Sequence, residues 1–214
     1  MAELLNRTPL YFIRYKYDEI NWNGRLVGIV EPRGLGKSTM VLQRIKQAAE
    51  GHHLYVSADS VYFTNHYLFI KDGGTHLYID EIHKYAGWSR ELKQIYDMHP
   101  SLNLIFTGSS VLDIKKGKAD LSRRASIYMM QGLSFREYLQ LFEGIKTRVF
   151  SLDEILNLQV EIPELEHPLP YFRAYLDYGY YPFAIEGDFV QRMLQVVDQT
   201  VEVDIPQYAD MKAS

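Results

Sequence analysis

Arg25-Leu-Val-Gly-Ile-Val30, followed directly by Glu31-Pro-Arg-Gly-Leu-Gly-Lys-Ser-Thr39, is the stretch that decides the fold. An apolar run of this length reads as a buried strand, and the residues Thr39–Glu50 beyond the glycines have helical spacing. Glycines at 34 and 36 let backbone amides curl around a polyphosphate. Lys37 would then reach the outer phosphates, and the Ser38 hydroxyl would serve a magnesium ion. A bare Gly-x-Gly-Lys-Ser/Thr arises by chance in roughly one per cent of chains this long, with glycine at about 7% usage. The strand before it and the helix after it lower that further. The full pattern, Gly-x-x-x-x-Gly-Lys-Ser/Thr, has a glycine where this chain has Glu31. A carboxylate about 6 Å from a phosphate charge is repelled by about 3 kcal/mol at an effective dielectric of about 20. That corresponds to a weakening on the order of a hundredfold, screened in part by Arg33 or solvent. Nucleotide binding is therefore expected to survive in weakened form.

Working outward, short apolar runs alternate with helix-like segments up to Thr107. After Thr39–Glu50 come Leu54–Ser57, Leu77–Asp80, the helix-like Arg90–Met98 and Leu102–Thr107. Such alternation predicts a parallel sheet covered by helices. His76-Leu-Tyr-Ile-Asp80-Glu81 is an apolar strand ending in two acids, expected to lie next to the loop strand. Asp80 would support the metal and Glu81 would orient or deprotonate an attacking water. Two acids at a strand end are common; their pairing with Lys37 and Ser38 is what makes the signal strong. The run Leu102–Ser110 ends in hydroxyls that could sense a terminal phosphate, Thr107 first and Ser109 second, although ordinary turn chemistry explains them equally well. Arg123 and Arg124 precede the apolar run Ile127–Met130 and read either as an arginine finger or as a surface pair. Ser134-Phe-Arg-Glu137 and Ser151-Leu-Asp-Glu154 both match the capping box that starts a helix.

Composition narrows the classes. The chain has 214 residues, 47% hydrophobic and 23% charged, which is ordinary globular usage. Its net charge of −4 excludes a uniformly basic nucleic-acid coat, but it averages two unlike parts. Residues 1–149 carry a net +5 and residues 150–214 a net −9, so a boundary falls near 144–152. Beyond it the spacing is helical throughout, including Phe189–Val203. The absence of cysteine removes disulfides, thiolate nucleophiles and cysteine zinc sites. With no signal-peptide pattern and no apolar run long enough to span a bilayer, the sequence reads as cytoplasmic, with no membrane partner. Seven histidines offer no pair at metal spacing, and seventeen tyrosines read as core mass before base-stacking platforms. Asp80-Glu-Ile-His83 matches a helicase box, but a helicase of that class needs two motor domains and a basic strand path.

Taken in order, these residues resemble the AAA-type ATPases of bacteria and archaea related to the archaeal signal-transduction ATPases. The loop of that family is Gly-Pro-Arg-x-x-Gly-Lys-Thr/Ser, matched here by Pro32, Arg33, Gly36, Lys37 and Ser38 but not by Glu31. Asp80-Glu-Ile-His-Lys-Tyr with Trp88, Glu91-Leu-Lys93 and Tyr96-Asp97 resembles the second motif and its helix. Thr107-Gly-Ser-Ser110 resembles the sensor segment. Leu121-Ser-Arg-Arg124 resembles a Leu-x-Gly-Arg signature in which Arg124 is the family arginine and Arg123 replaces a glycine. Gly132-Leu-Ser-Phe-Arg-Glu-Tyr138 and Tyr175-Leu-Asp-Tyr-Gly-Tyr-Tyr-Pro182 resemble two further segments, the latter in the helical lid. The resemblance covers about residues 24–206.

It implies an α/β fold, a P-loop NTPase three-layer α/β/α arrangement with a parallel sheet, followed by a small all-helical lid. The division expected is 1–149 for the ATP-binding core with an N-terminal extension, and 150–214 for a lid incomplete relative to longer family members. Family chains continue into winged-helix and restriction-nuclease-like domains, through which any contact with DNA would run; other protein subunits or such an effector domain are the expected partners. The implied function is ATP binding and hydrolysis with Mg2+. Its catalytic residues are Lys37, Glu81, Thr107 and Arg124, its nucleotide cradle Pro32, Arg33, Gly34, Leu35, Gly36, Lys37, Ser38 and Thr39, and its metal residues Ser38 and Asp80. A nucleotide-gated switch or scaffold with little turnover is the alternative, and a P-loop small-molecule kinase is a second.

Overall fold

The computed structural model describes residues 1–30, 33–48, 50–58, 66–85, 87–108, 121 and 123–204. Glu31, Pro32, Ser109, Ser110 and the charged loop 115–118 lie outside the described residues.

Five strands form one parallel sheet: β1 (Leu26–Val30), β2 (His53–Ser57), β3 (His76–Asp80), β4 (Asn103–Gly108) and β5 (Ser126–Met129), in the order β2-β3-β4-β1-β5. The expectation that β3 lies beside the loop strand β1 is corrected, because β4 pairs with both and separates them. The run Leu104-Ile-Phe106 is apolar on both faces, which suits a strand flanked on each side and covered above and below. His76 opens β3 with a polar group, and Asp80 closes it with another.

Side-chain parity builds the layers. Along a strand successive residues point to opposite faces. Leu26 and Val30, Leu77 and Ile79, Leu104 and Phe106 pack with Trp88, Leu92 and Ile95 of the helix Trp88–Met98. Val27 and Ile29, Tyr78 and Ile105 pack on the other face with Met40, Val41 and Ile45 of the helix Lys37–Gln47. The three layers follow directly from this alternation. Each fully buried Leu or Ile contributes about 1.5–3 kcal/mol relative to an exposed one. Gly28 keeps β1 close to its neighbours, since a Cβ there would come within 2.5 Å of the Phe106 ring and 2.6 Å of Ile127.

The chain divides by packing into two units, Met1–Gln131 together with the described residues from Met193 onward, and Gly132–Arg192. The packing divides at Gly132, whereas the charge divides near Val149. In the second unit both capping boxes are present: Ser134 and Ser151 accept from the amides of Glu137 and Glu154, whose carboxylates return to the cap amides. The helix Phe135–Phe142 that the first box opens carries Tyr138, fully buried among Phe142, Tyr175 and Tyr178. Beyond residue 149 the described residues are helices and turns without a strand. Among the described residues no helix is long and apolar enough to cross a membrane.

Candidate functional site

The loop after β1 turns through Gly34 and Gly36, at φ +81° and +87°, a region in which a side chain is strained. Gly36 caps the helix Lys37–Gln47, so unsatisfied amides and the positive end of the helix dipole face the loop, with no acidic residue in the first turn. Lys37 is buried at the helix start, Ser38 is half-buried and Thr39 is exposed. Leu35 sends its side chain into the interior and offers the loop only its backbone.

Parity also assembles the polar end of the sheet. Tyr55 of β2, Asp80 of β3 and Thr107 of β4 all occupy the parity that faces the helix Lys37–Gln47, at or near the carboxyl ends of their strands. The Tyr55 hydroxyl donates to Asp80 Oδ2 at 2.6 Å. Thr107 Oγ1 donates to Asp80 Oδ1 and accepts from the Glu81 amide at 3.1 Å. Burial, reinforced by the Asp80 charge, pushes the Tyr55 phenol far above its ordinary value and keeps it a donor to that carboxylate. The oxygen donors of Ser38 and Asp80 are of the hard type that magnesium takes, so the donor chemistry of these residues fits that ion.

Glu81 ends β3 in the left-handed region, φ +54°, where a non-glycine residue costs about 1–3 kcal/mol. The turn lets Ile82 reach the core and places the Glu81 carboxylate among cations. Its Oε2 lies 3.3 Å from Arg33 Nη1, 3.6 Å from His83 Nε2 and 3.8 Å from Lys84 Nζ. These are ion-pair distances without hydrogen-bond geometry.

Arg124 is not brought to this end. It precedes β5, whose Ser126 pairs with Val27, and it closes on Asp97 with two bonds of 2.9 and 3.1 Å at the amino end of the sheet. Five residues of strand at about 3.3 Å each separate that end from the loop. Arg123 is exposed. Two residues escaped the sequence reading. Tyr55 stands two residues before Ser57, the register partner of Asp80, a placement that only the formed sheet supplies. Arg14 is buried, donates from Nη1 to the Leu35 carbonyl at 2.9 Å and from Nη2 to that of Gln131 at 2.7 Å, and carried no signal in the sequence.

An uncharacterized protein of Methanocaldococcus jannaschii is 30% identical over 197 residues, covering 81% of this chain and 41% of that protein, so the chain spans about two fifths of the curated relative's length. A solved structure of the Thermotoga maritima RuvB Holliday junction branch migration motor is 20% identical with a TM-score of 0.44, covering 81% of this chain and 56% of that one. Residues 23–139, from just before β1 to the helix Phe135–Phe142, match the AAA domain, and the chain belongs to that family.

Proposed function

We propose that the chain binds and hydrolyses ATP with magnesium. The observation that carries this reading is the glycine loop that opens the helix at Lys37 and Ser38, together with Asp80 held by Tyr55 and Thr107 at the end of β3. In this reading the loop amides and Lys37 hold the triphosphate. Ser38 and Asp80 hold the magnesium, which when bound supplies neutralisation of phosphate charge. Glu81 accepts the proton of the attacking water, and Thr107 fixes both acids, Asp80 by its hydroxyl proton and Glu81 through the backbone amide. The second motif and the segments Gly132–Tyr138 and Tyr175–Pro182 support a place beside the archaeal signal-transduction ATPases. Arg124 acts, in this reading, from outside the site of its own chain.

One observation favours a switch with little turnover. The Glu81 carboxylate faces Arg33 of the loop itself, with His83 and Lys84 beside it, so protein side chains already surround the group that would take up the water. Glu31, outside the described residues, adds a charge that weakens nucleotide binding in either reading. Steady-state phosphate release decides between the two. Hydrolysis that falls about a thousandfold in Lys37→Ala and about a hundredfold in Glu81→Gln supports the ATPase. Tight ATP binding with no release supports the switch, and release indifferent to both changes removes the assignment.

A further inference from the structure

Residues before the sheet lie against the helix that follows the phosphate loop, and two side chains of that helix donate to their backbone carbonyls. Lys46 Nζ donates to the Thr8 carbonyl at 2.7 Å, and Gln43 Nε2 donates to the carbonyls of Pro9 and Phe12, each at 2.8 Å. Gln43 is buried, 3% exposed, so its amide has no solvent alternative to these two acceptors. This strap, residues 8–14, ends at Arg14, whose guanidinium spans two more carbonyls, Leu35 in the loop and Gln131 beyond β5. Arg14 is 7% exposed, so both of these bonds are shielded from solvent. The bond to Leu35 matters for the loop, and for a physical reason.

The reason lies in the planarity of the peptide bond. In a trans peptide the C=O and the following N–H point in opposite directions, and no cis peptide occurs among the described residues. Holding the Leu35 carbonyl toward Arg14 therefore turns the Gly36 amide away from it. Gly36 has no side chain and stands at φ +87°, so nothing of its own fixes that peptide plane. The Gly36 amide is the last of the loop before Lys37, where donors to a phosphate belong. Arg14's second bond, to Gln131, anchors the guanidinium to the chain leaving the sheet, so the hold on Leu35 is braced on a second element.

We infer that Arg14 is a positioning residue for phosphate binding, which orients the Leu35–Gly36 peptide so that the Gly36 amide presents its hydrogen to the bound nucleotide. The inference rests on the reading of this site as an ATP site. The strap contributes stability through Gln43 and Lys46, and ligand affinity through Arg14.

The test measures ATP affinity by calorimetry and the thermal midpoint together, on the unaltered chain, Arg14→Lys, Arg14→Ala and Gln43→Met. Arg14→Lys keeps the charge but cannot span both carbonyls; it is expected to bind ATP about tenfold more weakly, the equivalent of about 1.4 kcal/mol. Added guanidinium is expected to restore part of the affinity of Arg14→Ala. Gln43→Met is expected to lower the thermal midpoint with ATP affinity changed less than twofold. Equal affinity in the unaltered chain and both Arg14 variants would overturn the inference alone, and so would losses of affinity in all three variants that merely follow their losses of stability. Absence of ATP binding by the unaltered chain would overturn the reading of the site and the inference with it.

Discussion

At the amino end of the sheet, charged and polar groups close on one another, whereas at the carboxyl end Asp80 and Glu81 gather with Tyr55, Thr107 and the loop residue Arg33. Arg124 meets Asp97 with two bonds, and Arg25 donates to the Tyr96 carbonyl while lying 3.9 Å over its ring. His76 is similarly closed. The Thr75 hydroxyl spends its proton on the His52 carbonyl, so it accepts from His76 Nδ1, and the Asn103 amide donates to His76 Nε2. That network makes His76 neutral, and burial together with the neighbouring His53 and Arg44 holds its pKa below the usual histidine value. At the carboxyl end Asp80 receives donors from two strands, and Glu81 sits in strained backbone beside Arg33, Lys84 and the His83 ring. Parallel strands bring like ends together; the difference is that one end follows a glycine loop and a helix start, and the other does not. In the proposed reading, polar groups at the first end serve the fold and those at the second receive a nucleotide.

Three changes sharpen or break this contrast. The largest is Glu31→Gly, which removes a carboxylate from the phosphate loop and is expected to tighten ATP binding up to about a hundredfold. An affinity equal to that of the unaltered sequence would show that Glu31 lies clear of the phosphates. A middle effect is expected at the closed end. Because the folded state keeps His76 neutral, its contribution to stability is complete above the unfolded value near pH 6.5 and is lost as the pH falls through the depressed folded value. The fall in thermal midpoint between about pH 7.5 and about pH 5.5 should therefore be smaller in His76→Gln than in the unaltered chain. A fall of the same size would mean that other groups carry it. The smallest effect is expected from Arg124→Ala, with ATP affinity changed less than about twofold, because the ion pair with Asp97 is exposed and distant from the loop. A large loss of affinity would place Arg124 in the site of its own chain and break the division between the two ends.

Much of this arrangement was legible in the sequence. The runs Arg25–Val30, Leu54–Ser57, Leu77–Asp80 and Leu102–Thr107 each contain or adjoin an observed strand within a residue or two, and both capping boxes start helices. These features depend on local pattern, and local pattern is what a sequence displays. Strand order does not, so β3 was set beside β1 when β4 stands between them. The helix His66–Lys71 and the edge strand β5 went unassigned, because a six-residue helix and a half-buried four-residue strand have little periodicity to show. At the site, Lys37, Ser38, Asp80, Glu81 and Thr107 were visible because motif spacing marks them. Tyr55 joins Asp80 across 25 residues and Arg14 joins Leu35 across 21, through contacts that exist only once the sheet has formed.

The central claim is that the carboxyl end of the sheet is a magnesium–nucleotide site centred on Ser38 and Asp80. The most direct measurement is ATP affinity with and without magnesium, for the unaltered chain and for Asp80→Asn. The account predicts that magnesium tightens ATP binding by the unaltered chain and that Asp80→Asn loses most of that gain while still binding ATP through the loop. Binding that ignores magnesium in the unaltered chain, or a magnesium gain that survives intact in Asp80→Asn, would contradict it.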